Sequence, residues 1–459
     1  MKQPRADNRR ATEGTLEQND NTINGLAEQL IEAVAEDLKE VARWLVQHRE
    51  GELRTLEDGL REKGHQLLCR LLEETLVQEE AVRSQEGHPR CGQCGQETSG
   101  LGQRPKRVHL VLGEVALPRC CYYCAQCHTT WAPLDQQLGI DQSGRSPRLV
   151  EAIALLGAEL PFSPAAERLV QLCGVEVGPS QIEEVTEGIG QTLHQQELDQ
   201  MTRAFEGHQL PPVENRYPWL VLALDGVMAP YRDGYHEVRV ATIGGVSWVP
   251  QEWEEASVAW RYVVHTGDVG TLGKLAWLES YRQGLEEAEQ VLVLGDGASW
   301  IWNLAEEHWP GAVQILDFYH ATEHLWALGR SLWGEGSPQV GPWVEAAKKG
   351  LAEGKVEELL SQWRVLQPQD TEGFTRELTY FGNQRRRMKY DEYRAAGYPI
   401  GSGAVESANR HVVGVRVKQS GMRWLEPGIK GVLALRALLR SQRWSQWWDQ
   451  QPLPIPLAA

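Results

Sequence analysis

Three acidic residues occupy positions from which carboxylates could hold divalent metal ions. Asp225 ends the apolar run WLVLALDG, Asp296 ends the apolar run VLVLGDG, and Glu406 follows a Gly-Ser-Gly turn in the first turn of a helix. Ligands bind to α/β sheets at the ends of their strands. Each acid alone has an ordinary explanation, because Asp-Gly is a turn dipeptide and a first-turn glutamate favours the helix dipole. Together they predict a site for Mg²⁺, a hard cation that takes oxygen ligands.

Cysteines form a second candidate metal site. Six of the eight cysteines lie between Cys91 and Cys127. A hairpin pattern separates the C-x2-C pair of Cys91 and Cys94 from that of Cys124 and Cys127, and four thiolates in two tight turns can bind Zn²⁺ tetrahedrally. We therefore predict a zinc ribbon with a structural ion, with free or redox thiols as the alternative. Cys121 and Cys124 also have C-x2-C spacing, so the register stays open, with Cys124 and Cys127 preferred.

The stretch that positions the acids changes from a helical to a strand pattern near residue 215. Its expected order is three strands, a helix, a strand, a helix and a fifth strand. Asp225 is expected at the end of the first strand, Asp296 at the end of the fourth, and Glu406 on a helix beyond the fifth. Residues 335–396 are predicted to be an all-helical insertion before that helix.

The N-terminal half has helical spacing of apolar residues. Between Gly25 and Arg83 this spacing predicts two or three amphipathic helices, interrupted near Gly51 and Gly64. They could pair with the rest of the protein or with another copy. Both readings stay open from the sequence.

A helix-turn-helix is predicted within residues 147–197. Its first helix would span residues 165–173, and a capping box of Ser180 with Glu183 would start a second helix that runs through Ile189. The second helix is rich in glutamate, which suits a DNA major groove poorly. Packing and DNA contact are therefore weighted equally for this element.

Composition is that of an ordinary globular protein, with 41% hydrophobic and 24% charged residues. The net charge of −17 argues against nucleic acid, but residues 383–444 contain 13 Lys and Arg against 4 Asp and Glu. A basic face on an acidic protein is compatible with DNA binding, although a charge run is more often a solvated face. No apolar run has the length of a membrane span, and the first residues lack a signal-peptide core. We expect a cytoplasmic, nucleoid-associated protein without membrane partners.

Several motifs together resemble a known family. They are CGQC, CAQC, WAPLD, LALDGV, LGDGASWIW, LDFYHATEHLW, YPIGSGAVESAN and GMRW. The chain is similar to bacterial insertion-sequence transposases of the ISKra type, which are DDE transposases with an RNase H-like catalytic domain, related to the Mutator-like transposases. The resemblance extends from the cysteine motifs to Trp448, and YPIGSGAVESAN is its most specific part.

The resemblance implies a catalytic triad of Asp225, Asp296 and Glu406. Asp225 would bridge two Mg²⁺ ions, for which Mn²⁺ could substitute, while Asp296 and Glu406 would each bind one. His320 fits the C/D-x2-H motif of the Mutator-like transposases, where it would position the scissile phosphate or hold the geometry of the site. Helix capping or a core hydrogen bond is the competing role of His320.

Double-stranded DNA is the expected partner, as terminal inverted repeats and as target, bound by a homodimer or higher oligomer. The cations expected to neutralise phosphates are Arg385, Arg386, Arg387, Arg410, Arg416, Lys418 and Arg423. Trp300 and Trp302 could stack on a flipped base, with core packing as the safer interpretation. The alternative functions are a domesticated, non-catalytic DNA-binding or regulatory protein and an RNase H-like nuclease without strand transfer.

The predicted fold class is an α/β RNase H-like catalytic core with an all-helical insertion, preceded by N-terminal helices, a zinc ribbon and a helical domain of helix-turn-helix type. The predicted divisions are a disordered tail at 1–20, N-terminal helices at 21–86, the ribbon at 87–140, the helical domain at 145–212, the core at 215–334, the insertion at 335–396, the last part of the core at 397–448 and a tail at 449–459.

Overall fold

The computed structural model describes residues 24–83, 87–247, 258–455 and 457. The predicted tail at 1–20 lies outside the described residues, as does part of the tail at 449–459. The chain forms two compact units. The first consists of Met1–Gly157, Phe162–Val185 and Gln450–Pro456, and the second of Ala158–Pro161, Thr186–Asp449 and Leu457–Ala459.

In the described part of the first unit, residues 24–33 are helical, and two longer helices and a small sheet follow. Helix α1 spans Ala35–His48 and α2 spans Leu53–Arg83, so the chain breaks near Gly51 as expected. It does not break at Gly64, which lies inside α2, and no atom lies within 4 Å of the position that a Cβ would occupy there. The helix continues because a single glycine inside a helix costs only about 1 kcal/mol.

Three antiparallel strands follow in the order β1-β2-β3. They are β1 (Ser99–Leu110), β2 (Gly113–Cys124) and β3 (Thr129–Trp131). Cys69 and Leu76 of α2 pack on Val108, Val115 and Leu117 of the hairpin, which gives this sheet its core. The short helices α3 (Pro133–Leu138), α4 (Pro147–Glu159) and α5 (Phe162–Cys173) continue the chain.

Helix α6 (Pro179–Phe205) is longer than expected and starts differently. The backbone N–H of Gly178 donates to Gln181 Oε1 at 3.2 Å, so this pair replaces the predicted capping box of Ser180. The helix passes the expected end at Ile189 in spite of Gly190, because a glycine costs only about 1 kcal/mol and the apolar face continues with the buried residues Leu193 and Ala204.

A five-stranded sheet in the order β6-β5-β4-β7-β8 organises the second unit. The strands are β4 (Trp219–Tyr231), β5 (Gly234–Val246), β6 (Val258–His265), β7 (Gln290–Gly295) and β8 (Val313–Leu316). Strands β4, β5 and β6 pair antiparallel, whereas β4 with β7 and β7 with β8 pair parallel. The residues from Trp219 to Leu224 are all buried, which is why this part of β4 reads as a continuous apolar run.

Helices complete the second unit. After β6 come α7 (Val269–Arg282), α8 (Ser299–His308) and α9 (Phe318–Trp333), then α10 (Val340–Ala352), α11 (Val356–Trp363), α12 (Thr371–Gln384) and α13 (Tyr390–Ala395), and finally α14 (Gly403–Ala408), α15 (Val415–Val417), α16 (Glu426–Arg440) and α17 (Trp444–Asp449). A π turn, Asn409–Gly414, separates α14 from α15. Over 335–396 the secondary structure is helical, and Trp363 and Phe381 form its buried centre. Within the described residues no helix has both the length and the apolar character needed to cross a membrane.

Candidate active site and metal centres

Four cysteine sulfurs converge at one end of the small sheet. The Sγ atoms of Cys91, Cys94, Cys124 and Cys127 all lie within 4.8 Å of one another. Cys91 Sγ is 3.9 Å from Cys127 Sγ, and Cys94 Sγ is 3.5 Å from Cys124 Sγ. A tetrahedron with Zn–S bonds of about 2.3 Å has edges of about 3.8 Å. The four cysteines can therefore hold one structural metal ion such as zinc.

The geometry also decides the register of the second cysteine pair. Cys124 and Cys127 complete the cluster, whereas the buried Cys121 lies on β2 with its sulfur against Arg119 Nη1 at 3.5 Å. Backbone N–H groups of Cys94 and Gln93 donate to Cys91 Sγ and lower the pKa of this thiol to about 7. The turn thus favours the thiolate at Cys91, which is the form that binds metal, whereas hydrogen bonds with the other three cysteines raise the pKa of Cys127.

Strand register brings Asp225 and Asp296 side by side. The parallel pairing of β4 with β7 matches Leu222 with Val293 and Ala223 with Leu294. Continued by two residues, the same register places Asp225 opposite Asp296. The prediction that Asp225 ends its strand is wrong, because β4 continues to Tyr231 in a hairpin with β5. Asp225 instead marks the point where β4 extends beyond β7.

Burial strongly affects the Asp225 carboxyl group. Loss of hydration, together with the nearby Asp296 carboxylate, raises the pKa of Asp225 to about 6, although a hydrogen bond from the Gly226 N–H opposes the shift. Asn409 Nδ2 donates to Asp225 Oδ2 at 2.5 Å and also favours the ionised form. Two neighbouring carboxylates of this kind attract a cation, because a metal would relieve their repulsion.

The loop of Asp296 is held from the helical insertion. Asp296 Oδ1 accepts from the Ala298 N–H at 2.8 Å, and Tyr380 Oη donates to the backbone oxygen of Asp296 at 2.8 Å. Gln384 Nε2 donates to the backbone oxygen of Gly297 at 2.8 Å. Gly297 has a φ of 106°, and a Cβ there would lie 2.7 Å from the Tyr380 ring. Helix α12 therefore fixes the second acid in place, and glycine is required beside it.

Asp317 connects the Gly-Ser-Gly turn to the sheet. It caps α9 by accepting from the His320 N–H at 2.6 Å, and its other oxygen accepts from the Ser402 N–H. The Phe318 N–H also donates to the Ile400 backbone oxygen at 2.8 Å. Asp317 is almost fully buried. This carboxylate determines where α14 begins.

Helix α14 presents Glu406 to solvent. The helix packs against β4 and β5, and Glu406 lies three residues before Asn409, on the same helical face. Glu406 makes no side-chain hydrogen bond or ion pair within the described chain, even with Arg410 at the i+4 position. The third carboxylate is thus not neutralised by the cation next to it.

The described residues contain one group of at least three metal-ligating side chains within 4.8 Å, and it is the cysteine cluster. Asp225, Asp296 and Glu406 are therefore not gathered around a single point. The ligand atoms of two ions about 3.5–4 Å apart lie farther from one another than the ligand atoms of a single ion. The carboxylate oxygens of the paired aspartates are of the type that hard cations take as ligands.

His320 lies close enough to Asp225 to favour its charged form electrostatically. The His320 ring packs edge-on against His324 and lies 3.5 Å from Glu323. His324 in turn contacts the buried Glu377 at 2.6 Å and stacks on Tyr380 at 3.6 Å between ring centroids. A chain of rings thus runs from the acids to α12. The side chain of Asp317 caps the helix by accepting from the His320 backbone N–H, so the imidazole is not the capping group that the alternative proposed.

Not all of the expected DNA-binding cations are on the surface. Arg416 is fully buried, with its guanidinium 5.0 Å from the Trp424 ring centroid, so it stabilises this segment and cannot contact DNA. Arg387 is half-buried, lies 4.4 Å over the Trp302 ring and donates to Gln314 at 2.7 Å. Trp302 is a core residue, as the safer interpretation held.

The remaining expected cations are exposed: Arg385, Arg386, Arg410, Lys418 and Arg423. Arg385 pairs with Glu357 at 3.4 Å, and the Arg423 guanidinium lies 6.0 Å over the Tyr235 ring. Glu184 of the predicted recognition helix forms an ion pair with Arg145 at 3.2 Å, so part of its acidic surface is used within the first unit.

The sequence did not reveal Asn409, Tyr380, Gln384 and Glu377 as site residues. They follow from contacts across long stretches of chain, such as that between Tyr380 and Asp296. One signal was available for Asn409, because ESAN places it one helical turn after Glu406. No comparable signal marks the residues of α12.

Comparison with known proteins finds one family. The profile of the Uncharacterised protein family (UPF0236) matches residues 101–448, which include nearly all of the small sheet and the acids of the second unit. No curated protein matches the chain. The chain belongs to the UPF0236 family.

Proposed function

We propose that this UPF0236 protein is a DDE-type DNA transposase, which cleaves DNA at transposon ends and joins the ends to target DNA. The sheet order supports an RNase H-like fold for the second unit, since its first three strands are antiparallel and the last two are added in parallel beside β4. The all-helical segment between β8 and α14 supports a core that is interrupted before its third acid.

One observation carries the proposal. The register of β4 and β7, continued by two residues, aligns Asp225 with Asp296, and the helix of Glu406 packs against β4 and β5. Two aspartates that are far apart in the chain thus lie side by side, and the helix of the third acid packs on the strand of the first. A turn role for each aspartate does not explain this proximity.

Each residue would have its own role. Asp225, Asp296 and Glu406 would hold the Mg²⁺ ions. Mg²⁺, when bound, supplies activation of a water or 3′-hydroxyl and stabilises the leaving oxygen. Asp317 holds the turn before α14, and His320 lies beside the acids, where it would position the scissile phosphate.

The exposed cations of the segment around α14 support a DNA-facing surface. Arg410 follows Glu406 by one turn, and Lys418 and Arg423 are exposed further along. Such cations neutralise phosphates and would give binding that weakens with salt. We propose that double-stranded DNA lies along this edge and that the protein acts on it as a homodimer or larger assembly.

The test uses a supercoiled plasmid that contains the DNA flanking the coding sequence, with purified protein in Mg²⁺. We expect nicking by the wild type and a loss of about 1,000-fold or more in Asp225→Asn and Glu406→Gln, because a metal contributes several kcal/mol of transition-state stabilisation. DNA binding, measured by mobility shift, should remain in both variants. Asp233→Asn is the matched control, since Asp233 is exposed in the hairpin that follows Asp225.

Each result separates the candidate functions. Retained nicking in both acid variants would refute the triad. Nicking without joined products would favour an RNase H-like nuclease. Binding without any metal-dependent nicking by the wild type would favour a non-catalytic DNA-binding protein.

A further inference from the structure

Asn409 occupies an unusual position beside the paired aspartates. It is the first residue of the π turn, three residues after Glu406, and its Nδ2 donates to Asp225 Oδ2 at 2.5 Å. Its Oδ1 is buried and has no hydrogen-bond partner among the described residues. π turns are rare and often occur at functional sites.

The unpaired oxygen is informative because it is costly. A buried acceptor without a partner costs about 1–3 kcal/mol. Turning the amide over would not remove the cost, since the ionised Asp225 carboxylate accepts only and needs the Nδ2 side. The contact with Asp225 therefore fixes the amide with its oxygen unsatisfied, and something other than this chain must satisfy it.

A divalent cation has the matching chemistry. Amide carbonyl oxygens bind hard cations, as carboxylates do, but add no negative charge. The oxygen belongs to the same side chain that holds Asp225, so it is offered next to the carboxylates. A neutral fourth donor would complete a coordination shell without increasing the repulsion between Asp225 and Asp296.

We propose that Asn409 is a fourth residue of the acid site, whose Nδ2 positions Asp225 and whose Oδ1 enters the coordination shell of the cation. This inference rests on the proposed function. It assigns a residue outside the three carboxylates, at the point where α14 passes directly into the π turn.

The test measures Mn²⁺ binding to the zinc-loaded protein by the electron paramagnetic resonance signal of free Mn²⁺. Asn409→Ala should weaken Mn²⁺ binding about 10-fold or more, in the range known for lost metal-site partners. The Mn²⁺ concentration for half-maximal plasmid nicking should rise by a similar factor. Asn303→Ala is the matched control, because Asn303 is exposed on α8.

Asn409→Asp provides a second variant of nearly equal shape. It keeps an oxygen for the metal but loses the donor to Asp225, so we expect Mn²⁺ binding within a few-fold of wild type and nicking reduced about 10-fold or more. A residue with only a packing role would instead lower thermal stability in Asn409→Ala and leave the Mn²⁺ affinity unchanged.

The outcomes separate this inference from the proposed function. Unchanged Mn²⁺ affinity in Asn409→Ala, with loss of binding in Asp225→Asn, would overturn the role of Asn409 and leave the proposed function in place. Wild-type protein that binds no Mn²⁺ beyond that seen in Asp225→Asn would refute the metal-dependent function itself.

Discussion

The cysteine cluster and the acid site, which consists of Asp225, Asp296 and Glu406, draw their residues from different parts of the chain. All four cysteines lie between Cys91 and Cys127, in the segment before β1 and around the end of β2. The acids come from a strand, a loop after another strand, and a helix beyond a long insertion, from Asp225 to Glu406. In the first unit the local turns are enough to build the site. In the second, the whole sheet and the insertion are needed.

The difference extends to what each site leaves open. Four sulfurs fill a tetrahedron, so the cysteine cluster has no position for water or substrate. The acid site has an exposed glutamate, a buried amide oxygen without a partner and carboxylates that repel each other. A site that is closed serves stability, whereas one that is unsatisfied without a ligand is suited to binding and chemistry.

The largest expected difference between the two sites is the effect of metal removal on folding. A structural Zn²⁺ site contributes about 10 kcal/mol or more to folding in zinc-finger peptides, so Cys124→Ser should make residues 87–140 sensitive to protease. Removal of Mg²⁺ should leave the digestion pattern unchanged. Limited proteolysis with mass spectrometry and zinc analysis measure both effects.

The matched control for this variant is Cys173→Ser, since Cys173 is half-buried and lies outside the cluster. It should keep one zinc per chain and the wild-type digestion pattern. Zinc-free wild-type protein that resists protease would contradict a structural role of the cluster.

The acid site should show the opposite behaviour, because its carboxylates cost stability when no metal is present. The pKa of Asp225 is raised to about 6 in the fold, so the metal-free protein loses stability as pH rises through the window between the usual value of 3.8 and 6. Asp225→Asn should therefore stabilise the metal-free protein at pH 7.5 by about 1–2 kcal/mol, allowing for the partial exposure of the group.

Thermal unfolding of variant and wild type at pH 7.5 and pH 5 measures this gain, which should be smaller at pH 5. Asp233→Asn should show no such gain, because Asp233 is exposed. A loss of stability in Asp225→Asn at both pH values would show that the carboxylate is satisfied within the fold.

The smallest expected effect concerns the hydrogen bond that holds the Asp296 backbone. Tyr380→Phe removes the hydrogen bond to the Asp296 backbone, which should cost about 1 kcal/mol of stability and slow nicking up to about 10-fold. Tyr393→Phe is the control, because its hydroxyl donates to the Gln314 backbone at 3.3 Å, away from the acids. Equal loss of nicking in both variants would indicate a general effect of the insertion.

The same contrast explains what the sequence could predict. C-x2-C spacing is local, so it identified the cysteine cluster, and only the register between Cys121 and Cys127 needed the structure. The apolar runs before Asp225 and Asp296 likewise indicated buried strands. Both signals depend on residues that are neighbours in the chain.

Contacts across the sheet could not be predicted in this way. Arg416 lies in a basic stretch, yet it is buried over Trp424 because its long apolar stem and planar head pack well on an aromatic ring. The extension of β4 beyond Asp225 depends on its pairing with β5. The hydrogen bond from Tyr380 to the Asp296 backbone joins two segments that are separated in the chain by several helices.

The π turn at Asn409–Gly414 also limits how this chain can change in length. Deleting one residue there would turn everything that follows by about 100° relative to Glu406 and shift it by about 1.5 Å. Arg416 and Val417 could then keep their buried positions only if α14, which carries Glu406, moved on the sheet. We therefore expect natural variants of this protein to gain or lose residues in the helical insertion far more readily than in this one turn.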